Sequence, residues 1–179
     1  MTWWRLTASL ALLTLGLGVA DAELFINNWL EDVNFQCPPN QMLSKMDSIH
    51  NDDYEDRLWS FGCTPFSSVD QLGECRWTMD YVNDWRMYSE YRCPLKAVLA
   101  GVRSTANKSH GDRRMKFRCC KFSGYILTHC QWSDYLNRYD GLLTFTLPSN
   151  VLAIGIKSNF KEGVEDRIFK MLICNYQKV

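Results

Sequence analysis

One alignment of the chain with itself constrains the fold more than any other feature. Anchored at Cys37, Cys93 and Leu147, three stretches run in register without a gap. Eight residues before each anchor stands Trp29, Trp85 or Tyr139, inside "FINNW", "YVNDW" and "YLNRY". Pro38, Pro94 or Pro148 follows each anchor. Eleven residues after it comes Ser48, Ser104 or Ser158, and nineteen after it comes Asp56, Asp112 or Asp166, with Arg57, Arg113 or Arg167 next in the chain. The steps are 56 residues from Cys37 to Cys93 and 54 from Cys93 to Leu147, longer than helical-array repeats and enough for about four strands each. A chain built three times over one plan is expected to surround an axis rather than to alternate helix and strand.

Local patterning agrees with strands. "VLAGVRS" and "VLAIGIKS" are small and aliphatic without a sustained helical stripe, and "RMKFRC" alternates Met115, Phe117 and Cys119 against Lys116 and Arg118. The polar stretches "IHNDDYE", "TANKSHG" and "NFKEGVE" read as loops between paired strands. "CRWTMDYVNDW" and "CQWSDYLNRY" have room for a turn of helix. The expectation is an all-β, pseudo-threefold domain over residues 23–179, with repeats at about 25–76, 81–131 and 135–179. A β-prism of three sheets is preferred to a β-trefoil, whose repeats are shorter.

The recurring Asp-Arg pairs have two readings. Adjacent residues on a strand face opposite sides, so Asp56 and Arg57, Asp112 and Arg113, or Asp166 and Arg167 do not meet within a pair. Each can reach a neighbouring strand or turn, an Asp accepting backbone N–H and an Arg bridging carbonyls or a carboxylate. That makes them structural. The other reading is three equivalent ligand sites, which would suit a multivalent binder. A single reaction centre is disfavoured, since it needs unlike groups converging asymmetrically.

Cysteine placement follows the repeat. Cys37 and Cys63 hold the anchor and the sixth position after the Arg; Cys93 and Cys119 hold the same places in copy two. Copy three has Leu147 and Ile173 there, losing both together, as a bonded pair predicts. Cys37 is therefore paired with Cys63, and Cys93 with Cys119. Cys75 with Cys120 and Cys130 with Cys174 then repeat one long step, each stapling one copy to the next. Each loop closed is worth about 3–4 kcal/mol in the chain-entropy account. With no thiol left over and no Cys-x-x-Cys spacing, neither a cysteine nucleophile nor a zinc site is expected.

The amino terminus reads as a secretory leader. Arg5 precedes the apolar "LTASLALLTLGLG", and Ala20-Asp21-Ala22 offers a cleavage site, so residues 1–22 are assigned to a signal peptide. No later segment is apolar enough to span a membrane as a helix, and an even cysteine count suits an oxidising, extracellular setting. Twenty Lys+Arg balance twenty Asp+Glu, which argues against a nucleic-acid binder. His50, His110 and His129 share no repeat position and belong to no catalytic or metal motif; each reads as an ordinary surface or loop residue. Asp52, Asp53, Glu55 and Asp56 could suit calcium, but copies two and three lack the cluster, so no metal and no cofactor is assigned. Asn107 opens the sequon "NKS" and is a candidate N-glycosylation site.

Cys-Pro, an aliphatic strand, Ser, a polar loop and Asp-Arg-x-aromatic-x-aromatic-x-Cys together resemble the dermatopontin family. The lines that carry the likeness are "NFQCPPNQMLSKMDSIHNDDYEDRLWSFGC", "YRCPLKAVLAGVRSTANKSHGDRRMKFRCC" and "FTLPSNVLAIGIKSNFKEGVEDRIFKMLIC". The hairpin is also loosely similar to the repeats of a vitelline-membrane outer-layer protein, a β-prism. The family resemblance implies no enzymatic activity. It implies matrix association, cell adhesion, collagen fibril organisation or hemagglutination, with proteoglycans, glycosaminoglycans, matrix proteins or cell-surface glycans as partners. Only "AELFINNW" precedes the first copy, without the Tyr-rich acidic segment of mammalian members, which leans toward the hemagglutinin-like branch. Copy two is rich in basic residues (Arg92, Lys96, Arg103, Lys108, Arg113, Arg114, Lys116, Arg118 and Lys121). Arg103, Lys108, Arg114, Lys116 and Arg118 are the candidate glycan or heparin contacts. The expected function is secreted, extracellular-matrix adhesion through copy two; the alternative is a soluble, multivalent agglutinating lectin of innate defence.

Overall fold

The computed structural model describes residues 25–66 and 71–179. The expected signal peptide lies outside the described residues. Among these residues the regular structure is strand alone: β1 (Val33–Gln36), β2 (Gln41–Asn51), β3 (Asp56–Pro65), β4 (Cys75–Trp77), β5 (Ser89–Arg92), β6 (Ala97–Asn107), β7 (Asp112–Lys121), β8 (Tyr125–Trp132), β9 (Leu143–Thr146), β10 (Val151–Lys161) and β11 (Asp166–Lys178). "CRW" and "CQW", where a helical turn had room to form, lie in β4 and β8. No described helix is long and apolar enough to cross a membrane.

Each copy supplies one long antiparallel hairpin: β2–β3, β6–β7 and β10–β11. The hairpins form because alternating or continuous apolar runs flank a polar tip, so one face of each sheet must be covered. The short strands do not stay with their own hairpin. β1 and β4 of copy one flank the copy-two hairpin, giving the sheet β1-β6-β7-β4. β5 and β8 of copy two likewise flank copy three in β5-β10-β11-β8, and β9 of copy three returns to β2 of copy one in β3-β2-β9. The three sheets are thus closed into a cycle, the all-β, β-prism-like architecture expected for a threefold repeat. Their inner faces meet in a core that includes Trp59, Met115 and Phe169 from equivalent positions, with Met46, Val102, Ile156, Phe117 and Met171 around them. Trp59 meets Phe169 edge to face at 5.4 Å. Burying each such side chain contributes about 1.5–3 kcal/mol.

At the axis lies a ring of ion pairs. The Arg57 guanidinium grips Asp166 with two bonds of 2.7 Å. Arg113 grips Asp56 at 2.6 and 2.8 Å, and Arg167 grips Asp112 at 2.6 and 2.8 Å. Every Arg therefore holds the Asp of the preceding copy, and the cycle closes on itself. All six side chains are buried. The third guanidinium nitrogen donates to the repeated serine, Ser104 and Ser158 at 3.0 Å and Ser48 at 3.5 Å. Arg57 and Arg113 also donate to the carbonyls of Gly141 and Glu31. The cavity that the ring lines holds only about 20 Å³, room for about one water and for no sugar.

The same ring fixes the backbone around it. Leu30, Arg86 and Asp140 stand at equivalent places with φ of 63°, 63° and 57°, a left-handed conformation costly for residues with a Cβ. Their amides donate to the second oxygen of Asp56, Asp112 and Asp166 at 2.7, 2.6 and 2.8 Å. One turn earlier, Asn27, Asn83 and Asn137 donate to the carbonyls of Arg57, Arg113 and Arg167. The same asparagines accept from the amides of Trp59, Met115 and Phe169. The repeated Asn of "FINNW", "YVNDW" and "YLNRY" is thereby a substitute strand, occupying both backbone groups of the hairpin edge.

Disulfides join Cys37 to Cys63, Cys93 to Cys119, Cys75 to Cys120 and Cys130 to Cys174, and no cysteine is free. Cys75 lies directly across from Cys120 in the β4–β7 ladder, so that bridge ties copy one to copy two. Cys130 on β8 and Cys174 on β11 tie copy two to copy three. No disulfide spans the junction from copy three back to copy one.

Removing one carboxylate tests the ring. Asp56→Ala leaves Arg113 buried without its counter-ion and the Leu30 amide without its acceptor. We expect a loss of about 3–5 kcal/mol in urea unfolding under non-reducing conditions. A loss below about 1 kcal/mol would show that the ring does not hold the copies together.

Candidate functional site: a cationic, aromatic sheet face

From Arg113 to Cys119, β7 alternates between buried and half-buried side chains. Met115, Phe117 and Cys119 point into the core, so Arg114, Lys116 and Arg118 stand on the outer face. β6 does the same further along, exposing Arg103 and half-burying Thr105. The register sets Arg103 opposite Lys116 and Thr105 opposite Arg114. Four of the five candidate glycan contacts are therefore neighbours on one patch. Lys108 stands at its end, exposed on the loop between β6 and β7.

Aromatic rings are interleaved with the cations. Arg103 lies over Trp77 at 4.1 Å from the ring centre, with its Nε donating to Asn34. Arg114 sits between Tyr81 at 4.4 Å and Trp85 at 4.6 Å. Lys116 approaches Tyr81 at 5.0 Å and donates to the Met79 carbonyl at 2.6 Å. Trp85 stacks on His110 at 5.0 Å. Such contacts, each worth about 0.5–2 kcal/mol, fix the exposed Arg103 and the half-buried Arg114 and Lys116 against the rings without neutralising them. Trp77 fits because Gly101 has no side chain: a Cβ there would come within 3.1 Å of the indole and 2.8 Å of the Phe35 carbonyl.

The patch belongs to copy two. At the places of Arg103, Arg114, Lys116 and Arg118, copy three has Lys157, Ile168, Lys170 and Leu172. Its two cations keep aromatic partners, Lys157 over Trp132 and Lys170 over Tyr135, both at 4.4 Å. Copy one has Asp47, Leu58, Ser60 and Gly62, no cation at all, and Asp47 is paired with Lys45 at 2.7 Å. At those four places the copies thus grade from four cations to two to none over one backbone plan, with Lys45 nearby in copy one and Arg92 added beside Trp132 in the copy-three sheet.

The remaining basic residues of copy two separate. Arg113 is spent in the axial ring, Arg92 on β5 sits in the copy-three sheet beside Trp132, and Lys121 pairs with Glu74. Asp56, Arg57, Asp112, Asp166 and Arg167 are gathered at the axis with Arg113, facing one another. Asn107 lies at the hairpin tip, where its side-chain oxygen accepts from the Ser109 amide and hydroxyl at 2.9 and 2.7 Å. One expectation needs correction. His50 is not a surface residue: it is on β2, and its side chain is 1% exposed. Its copy-two and copy-three equivalents are Ala106 and Phe160, and that departure from the repeat was the available signal.

The family model described as Dermatopontin matches residues 27–178. The chain is 33% identical to the hemagglutinin/amebocyte aggregation factor of Limulus polyphemus, over 86% of this chain and 88% of that protein. It is 32% identical to a dermatopontin of Biomphalaria glabrata, over 84% of this chain and 99% of the relative. It is 30% identical to Millepora cytotoxin-1 of Millepora dichotoma, over 83% of this chain and 65% of that protein. No solved structure matches.

Gly101→Ala probes how the face is built. The added methyl group must push against the Phe35 carbonyl and Trp77, costing about 1–3 kcal/mol. We expect a lowered melting temperature and a shifted indole emission; unchanged values for both would show that Trp77 does not depend on that gap.

Proposed function

This chain belongs to the dermatopontin family, and from that membership we propose that it is a secreted, non-enzymatic adhesion protein of the extracellular matrix. Its copy-two face takes the sulfated glycosaminoglycan chains of proteoglycans. The observation that carries this reading is the concentration of Arg103, Arg114, Lys116 and Arg118 on one sheet face, while the equivalent four positions of copy one hold no cation and its nearby Lys45 is paired with Asp47. Side chains two apart on a strand are about 7 Å apart and neighbouring strands about 5 Å. A grid of fixed cations on that scale suits a linear polyanion, and the net neutrality of the whole chain keeps attraction local to the patch. Guanidinium groups add paired N–H donors toward sulfate oxygens. The non-enzymatic reading rests on the family membership.

The agglutinating lectin is the second reading, and one observation favours it. Tyr81 and Tyr135 build the same exposed rim twice, each hydroxyl bonded at 2.9 Å to the next strand, to Thr105 and Asn159 respectively. Two sugar sites on one monomer would cross-link cells without oligomers. Copy one has Phe25 in that place, so the rim is not threefold.

Heparin chromatography at graded salt, run beside a glycan array, separates these readings. We expect retention that falls steeply with salt, because bound cations displace counterions from the polyanion. Arg114→Ala and Lys116→Ala should each elute at lower salt, whereas Ser60→Ala on copy one should not shift. Salt-independent binding to a neutral sugar would favour the lectin. Binding to neither would leave matrix proteins as partners.

A further inference from the structure

We infer that His50, Asp52 and Asp140 form a binding site for one divalent transition-metal ion, zinc by their chemistry, which joins copy one to copy three. The three side chains offer one ligand atom each, all within 4.8 Å of one another. His50 Nδ1 is 3.2 Å from an Asp52 oxygen and 3.5 Å from an Asp140 oxygen. Those separations are close to the edge of a tetrahedron with metal–ligand bonds of about 2.0–2.1 Å, roughly 3.3 Å.

The imidazole is the reason to expect a cation. Its side chain is 1% exposed, Nδ1 shares a hydrogen bond with Asp52, and Nε2 is buried with no hydrogen-bond partner. Around that nitrogen lie a Glu55 oxygen at 4.0 Å and an Asp166 oxygen at 3.9 Å. Four carboxylates therefore face one ring from three elements, and Arg57 is committed to one of them, Asp166. A metal on Nδ1 would leave Nε2–H aimed toward Asp166 and Glu55, the outer-shell carboxylate arrangement that orients ligating histidines. Imidazole with two carboxylates suits zinc better than calcium, which takes oxygen ligands in larger number.

The site exists once. Asp52 is matched by Lys108 and Glu162, His50 by Ala106 and Phe160, and Asp140 by Leu30 and Arg86. It lies on the junction between copies three and one, where neither inter-copy disulfide reaches. A shared ion there would supply the cross-link that the other two junctions have in covalent form.

Zinc titration of the chelator-treated full chain, by calorimetry and by competition with a chromophoric chelator, tests the site. We expect one ion per chain with micromolar affinity, a melting temperature raised by zinc, and the visible bands of tetrahedral cobalt when Co²⁺ is used instead. His50→Phe installs the residue that copy three already carries, and Asp52→Asn alters an exposed side chain while keeping its size. Each should weaken zinc binding at least tenfold and abolish the zinc-dependent rise in melting temperature. No zinc binding by the parent chain would overturn the inference. So would binding retained in His50→Phe, or a preference for Ca²⁺ that the His50 change leaves intact.

Discussion

Three guanidinium groups cannot share the interior of a small protein unless each finds a carboxylate and nearly all its protons find acceptors. Removing one partner of such a pair costs about 3–5 kcal/mol, a sizeable share of the total stability of a domain. Here the demand is met cyclically: each Arg is answered by the copy before it, and each Asp also holds a left-handed turn of its own copy. The ring therefore sets three things at once. It sets the angle between hairpins, the entry of each short strand, and the mutual dependence of the three copies. Hydrophobic contacts such as Trp59 with Phe169 then fill a space whose shape the ion pairs have defined.

An interior held in common leaves the exterior free to differ. Copy two carries Gly101 across from Arg118, while copy one carries Lys45 across from Gly62, so bulk moves from one strand to its neighbour without altering the pairing. The outward faces become cationic, mixed or neutral at little cost to the core. His50 shows the same liberty at the edge of the ring, where Ala106 and Phe160 serve the other copies. Binding properties can thus be assigned to single copies although the scaffold is triplicated.

Much of this was legible in the chain. The gap-free repeat of Trp29, Cys37, Ser48 and Asp56 announced three similar β units, and the joint replacement of Cys93 and Cys119 by Leu147 and Ile173 marked those cysteines as a pair. Alternation in "RMKFRC" separated Lys116 and Arg118 from the core before any coordinates. Other features were hidden for physical reasons. The Arg-to-Asp bonds join different copies, and identical repeats do not say which partner is chosen. The left-handed residues Leu30, Arg86 and Asp140 carry no glycine to reveal them. Arg92 seemed to belong with the copy-two cations because sequence neighbours were assumed to share a sheet, whereas its strand pairs with β10. The surroundings of His50 include Asp140 and Asp166, residues of copy three that its own repeat does not reveal.

The forward hand-over of short strands bears on how the chain is made. The copy-one hairpin leaves the ribosome first, yet β2 has no strand on its free side until Leu143–Thr146 emerges. Arg57 must wait for Asp166, 109 residues later. At about 5–20 residues per second, that interval is roughly 5–20 s. Cys37 and Cys63 can oxidise within it, but the hairpin they clasp still exposes an unpaired edge and an uncompensated guanidinium. Completion is an event of the whole chain, dominated by distant contacts and correspondingly slow. A protein of this design should rely on the folding assistance of its compartment for longer than its modest length suggests.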